Sequence, residues 1–116
     1  MLEELRTLPI IDKVLEKKLA GNTHDTITDI LPLLIDSLPK ELADIKRSYD
    51  EKQYDRMLYA VHRLHGAVCY SPTPRLKLVL SHLETRLKNN IIDELPILLG
   101  LLEFETKEVI NAKNIS

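Results

Sequence analysis

The stretch YDRMLYAVHRLHGAVCYSPTPRLKLVLSHLETRLKNN, residues 54–90, sets two amphipathic segments around a short break. Tyr54, Met57, Leu58, Val61, Leu64 and Val68 recur at the three- and four-residue spacing of a single helical face. "YSPTPRL" interrupts that face and starts the next helix, with Thr73 expected as N-cap and Pro74 at the first helical position. Leu76, Val79, Leu80, Leu83 and Leu87 then repeat the pattern as far as Lys88-Asn89-Asn90, where the helix should stop. So short a connection lays the second helix antiparallel on the first.

The same periodicity extends in both directions. Ile27, Ile30, Leu31, Leu34, Ile35, Leu38, Leu42 and Ile45 form an earlier stripe that carries Pro32 and Pro39, which predicts a kink or a late helix start. Leu95, Leu98, Leu99, Leu102, Val109 and Ile110 form a later one, with Pro96 tolerable in its first turn. A short block of Ile11, Val14, Leu15 and Leu19 precedes them all, ended by Gly21. The expected fold is all-α: an antiparallel up-and-down four-helix bundle with a short additional N-terminal helix, residues 1–116 forming a single domain.

Composition narrows the function. The 116 residues are 44% hydrophobic and 29% charged, as in an ordinary soluble domain that buries its core without staples. Net charge is −2, and Lys and Arg are scattered without interleaved aromatics, which argues against a nucleic-acid surface. The single Cys69 excludes an internal disulfide and suits a reducing compartment. No apolar run reaches membrane-spanning length, and acids interrupt the start "MLEELRTLPIID", so a cytoplasmic chain without membrane contact is expected.

Two histidines and a glycine stand out within residues 60–68, AVHRLHGAV. At about 100° per residue, with Val61 at the centre of the apolar stripe, His62 falls near the shoulder between core and solvent. His65 falls beside the core edge, and Gly66 lies one turn beyond His62 on the exposed side. A glycine there costs the helix roughly 1 kcal/mol relative to alanine. It would let another macromolecule approach the imidazole closely. The plainer readings are a half-exposed polar histidine, and a glycine that serves helix packing or sits near a helix end.

The segment HRLHGAVCYSPTPRLK, residues 62–77, resembles the signature of histidine-containing phosphotransfer (HPt) domains. Their pattern is His-x-Leu-Lys-Gly on the second long helix of a four-helix bundle. The likeness is in particular to the HPt domains that end BarA-type hybrid sensor kinases, where a histidine also replaces the lysine and a Tyr-Ser…Pro-Arg segment follows. The specific match covers residues 58–77. The resemblance implies that His62 accepts the phosphoryl group, that His65 lies near it in the lysine's place, and that Gly66 gives clearance. A neutral His65 would lack the permanent charge of a lysine.

The implied function is a phosphorelay intermediate of two-component signalling, taking a phosphoryl group from one receiver aspartate and passing it to another. Such a module has no kinase activity of its own, although a hybrid-sensor parent would be a histidine kinase. The implied partners are the receiver domain of a hybrid sensor kinase and a response regulator, met by a monomer. No cofactor is expected in this domain; Mg²⁺ is expected in the receiver. The chain also lacks a glycine-rich phosphate loop.

An oriented imidazole needs an acceptor for its other ring nitrogen. The antiparallel return brings residues 82–84 to the level of His62, and Glu84 falls on the shoulder of its helix. The handedness of the bundle decides whether the two shoulders meet; the resemblance implies that they do. Otherwise Glu84 simply pairs with Lys88 at i,i+4. Arg75 and Lys77 are either ordinary solvated charges or contacts for the acidic face of a receiver. The rival functions are a helical adaptor using the same face without chemistry, and a metal site made by His62, His65, His82 and Cys69. Against the metal site, the first two histidines diverge by about 60° around the helix.

Overall fold

A computed structural model describes residues 2–15 and 30–115. Its helices are α1 (Leu2–Thr7), α2 (Ile30–Asp50), α3 (Tyr54–Val68), α4 (Pro74–Lys88) and α5 (Leu95–Ile115), and residues 13–15 are also helical. Helix α3 packs between α2 and α4, and α5 packs against α4 and α2, which closes the ring of a four-helix bundle. Short links make successive helices antiparallel. Arg63 of α3 accordingly meets Glu41 of α2, and His62 meets Glu84 of α4.

The core is the set of stripes read from the sequence. Leu38 and Ile45 from α2, Met57, Val61 and Leu64 from α3, Leu76, Leu80 and Leu83 from α4, and Leu95 and Leu102 from α5 are all buried. Truncating one such leucine to alanine costs about 2–5 kcal/mol, because both its transfer energy and its packing are lost. Among the described residues no helix is long and apolar enough to cross a membrane.

Two of the links are closed by residues in the left-handed region. Lys52 (φ 55°) follows α2, where its N–H donates to Tyr49 O and that of Gln53 donates to Ser48 O. Asn90 (φ 58°) follows α4, with its N–H on Leu87 O and that of Ile91 on Arg86 O. Both are the paired bonds that satisfy the last carbonyls of a helix. The predicted stop at Lys88-Asn89-Asn90 therefore has its cause in Asn90, since asparagine tolerates this conformation.

The structure differs from the sequence-based expectations in two places, the Thr73 cap and the N-terminal block. Helix α2 is helical from Ile30, with Pro32 in its first turn, and continues through Pro39; the residues before Ile30 lie outside the described residues. Both prolines lie on its exposed side, where the carbonyl that Pro39 leaves unpaired can face water. Thr73 does occupy the N-cap position of α4, but its side chain makes no capping bond; its hydroxyl lies 2.5 Å from that of Ser71. Val14 and Leu15 are exposed, whereas Leu5 of α1 and Ile11 join the core. Leu19, Gly21 and Ile27 lie outside the described residues. The N-terminal segment is fastened by the Asp12 N–H, which donates to Pro72 O at 2.8 Å in the α3–α4 link.

Candidate functional site

The site lies where the shoulders of α3 and α4 meet. Val61 and Leu64 point into the core, which turns His62 outward with its side chain 70% exposed. Leu83 is buried in the same way, and the next residue, Glu84, sits at the helix–helix seam with its side chain only 11% exposed. His65, one turn after His62, is 21% exposed at the same seam.

Three side chains, His62, His65 and Lys88, converge on the Glu84 carboxylate. His62 Nδ1 lies 3.2 Å from each oxygen of Glu84, and His65 Nδ1 lies 3.0 Å from Oε1. Lys88 Nζ reaches Oε2 at 3.0 Å. Burial alone would raise the Glu84 pKa, but hydrogen bonds from Lys88, His65 and His62 outweigh it and pull the group from 4.5 to about 2. Glu84 is thus an ionised, acceptor-only group near neutral pH. Each Nδ1 must carry the proton it donates, so in the neutral ring Nε2 of His62 is the nitrogen with a free lone pair.

Gly66 lies beside this site on the exposed face. A methyl group built on it would meet nothing within 4 Å. The described fold therefore gives no packing reason for glycine here, and the space it leaves faces outward. The exposed Tyr59 ring flanks the same face, with the Arg63 guanidinium 5.7 Å from its centroid.

The structure brings His62, His65, Gly66 and Glu84 together. The two sequence readings of Glu84 are compatible, since its carboxylate serves both the imidazoles and Lys88. Arg75 is not a solvated charge: its Nη2 donates to Glu105 Oε2 at 2.9 Å, and Glu105 is 1% exposed. Burial raises the Glu105 pKa against the opposing pull of Arg75. Lys77 is exposed beside a groove lined by Leu8, His65, Cys69, Pro74 and Leu78. Sequence reading missed this groove because Leu8 reaches it only through the tertiary fold. Among the described residues no group of three or more His, Cys, Asp or Glu side chains is arranged to hold a metal ion.

Comparison with known proteins identifies the family. Residues 29–112 match the family model of the Hpt domain. The chain is 30% identical over 106 residues to the sensor histidine kinase GacS of Pseudomonas protegens, covering 86% of this chain and 12% of that protein. It is 30% identical over 89 residues to the signal transduction histidine-protein kinase BarA of Escherichia coli K12, covering 75% and 10%. The chain thus spans only about a tenth of the length of these curated relatives. The crystal structure of the HPT domain from a Shewanella Hpt sensor hybrid histidine kinase superposes with a TM-score of 0.78 at 27% identity, covering 96% of this chain and 94% of that one. Fold, motif and family match converge: this chain belongs to the Hpt domain family.

Proposed function

We propose that the chain is a phosphorelay intermediate that accepts a phosphoryl group on Nε2 of His62 from a receiver aspartate and passes it to the aspartate of a response regulator. The observation that carries this reading is an exposed imidazole whose Nδ1 is held by the ionised Glu84, beside the open space at Gly66. In the first transfer the Nε2 lone pair forms the N–P bond while the P–O bond of the aspartyl phosphate breaks, returning its electron pair to the aspartate. No proton has to move, because Nδ1–H stays on Glu84 and the ring's new positive charge faces that carboxylate.

The transition state is loose, so positioning and charge neutralisation dominate the catalysis. The receiver brings the phosphoryl group, its carboxylates and Mg²⁺; this bundle supplies an oriented ring and a face to dock on. The reverse reaction delivers the group to the second aspartate. The reading is tested by mixing the chain with a phosphorylated receiver domain in Mg²⁺ and following the label. Acid-labile, alkali-stable phosphate on the chain supports the relay. Stable binding without transfer would instead make it an adaptor.

A further inference from the structure

Glu84 serves two imidazoles. Its Oε1 lies 3.0 Å from His65 Nδ1 as well as 3.2 Å from His62 Nδ1. An acceptor-only carboxylate keeps a proton on Nδ1 of His65 in either charge state, so the ring holds its place whether neutral or charged. A second proton is then gained at Nε2, and the ring is open enough to exchange it with water. The titratable and charged groups around His65 are Glu84 and Lys88 on α4, joined through the carboxylate, His62 one turn away, and Lys77 and Cys69 along the groove.

Phosphorylation of His62 would put two negative charges on the phosphoryl oxygens and one positive charge on the ring, a net gain of one negative charge one helical turn from His65. Residues at i and i+3 have their Cβ atoms roughly 5–6 Å apart. The Hpt pattern has a lysine at this position, whereas this chain has a histidine, the side-chain type whose ordinary titration lies near physiological pH. We propose that His65 is a positioning residue that takes up a proton from water when His62 is phosphorylated, so that phosphoryl occupancy of this module is coupled to pH. This rests on His62 being the acceptor.

The sign follows from linkage. The phosphorylated form holds the His65 proton more tightly, so His65 favours that form fully below the titration range of the free protein. The advantage is lost as pH rises through the titration of the phosphorylated form.

The test uses the full chain charged with phosphoramidate, followed by ³¹P NMR, while imidazole ¹H–¹⁵N spectra track each ring from about pH 6 to about pH 8. The expected result is a rise of roughly one pH unit in the His65 midpoint on phosphorylation, which is about a tenfold tighter proton. The lifetime of the phosphohistidine should show a step at that midpoint in wild type. The part of that profile due to His65 should be absent from both His65→Lys and His65→Gln, while the ionisation of the phosphoryl group itself, at about pH 6, remains in all three. An unchanged midpoint with label on His62 overturns this proposal alone, as does a wild-type lifetime profile identical to that of His65→Gln. No label on His62 removes the relay reading and this proposal with it.

Discussion

His62 Nδ1 and Glu84 Oε1 lie 3.2 Å apart although 22 residues separate them in the chain. The contact selects the ring nitrogen left free of Glu84, and it joins the helix that carries the proposed acceptor to the helix that carries its carboxylate partner. Because Lys88 and His65 bond the same carboxylate, its negative charge is retained at a seam where burial would otherwise favour the neutral acid.

Glu84→Gln keeps the shape of the side chain but removes the charge that fixes the tautomer of His62. The initial rate of phosphoryl uptake should fall roughly ten- to hundredfold, by analogy with the loss of the partner that orients a metal-ligating histidine. Circular dichroism should show unchanged helicity. An unchanged rate would mean that the ring needs no orienting group.

Substitutions at Gly66 test folding and docking separately. Gly66→Ala should stabilise the protein by about 1 kcal/mol, since alanine is the better helix former and the added methyl meets nothing. The melting temperature should rise by about 4 °C. Gly66→Phe should fold yet lose transfer from a receiver domain while still accepting phosphoryl groups from phosphoramidate, a donor small enough to bypass the obstruction. Loss with both donors would place the defect in the ring itself.

Acid should weaken the α3–α4 seam. The pKa of Glu84 is lower in the folded state, so its contribution to stability is fully present above 4.5 and is lost as pH falls towards about 2. The shift corresponds to an upper bound on the order of 3 kcal/mol, reduced because Lys88 and His62 are exposed to water and salt. Glu105 acts in the opposite sense: its raised pKa gives a contribution that is lost as pH rises through it. Urea unfolding at successive pH values should therefore show wild type losing more stability than Glu84→Gln between about pH 5 and about pH 3. Parallel curves would contradict the assignment.

The helical stripes were legible in the sequence because burial in a bundle follows the 3.6-residue period directly. Val61, Leu64, Leu80 and Leu83 are buried where periodicity put them, α3 ends before the break that begins at Tyr70, and α4 has the boundaries that its flanking residues predict. Chain order also gave the level of His62 and Glu84, since an antiparallel return fixes it. Whether their shoulders meet depends on how the helices are rotated against each other, a tertiary property with no local signal. Arg75 was illegible for the same reason: nothing near it in the chain announces the buried Glu105 thirty residues away. Thr73 shows a local rule giving way, because a hydroxyl at the N-cap could bond either its own helix or Ser71. Val14 and Leu15 fit a helical period, but their exposure shows that an apolar spacing so short does not fix a buried face.

The most direct measurement is phosphoryl transfer from a phosphorylated receiver domain to wild type and to His62→Gln, with Mg²⁺ present and the label followed through acid and alkali. The account predicts acid-labile, alkali-stable label on wild type and none on His62→Gln. Equal label on both proteins would move the acceptor away from His62. Label on neither, from a receiver that binds the chain, would leave a bundle that docks without chemistry and would contradict the relay.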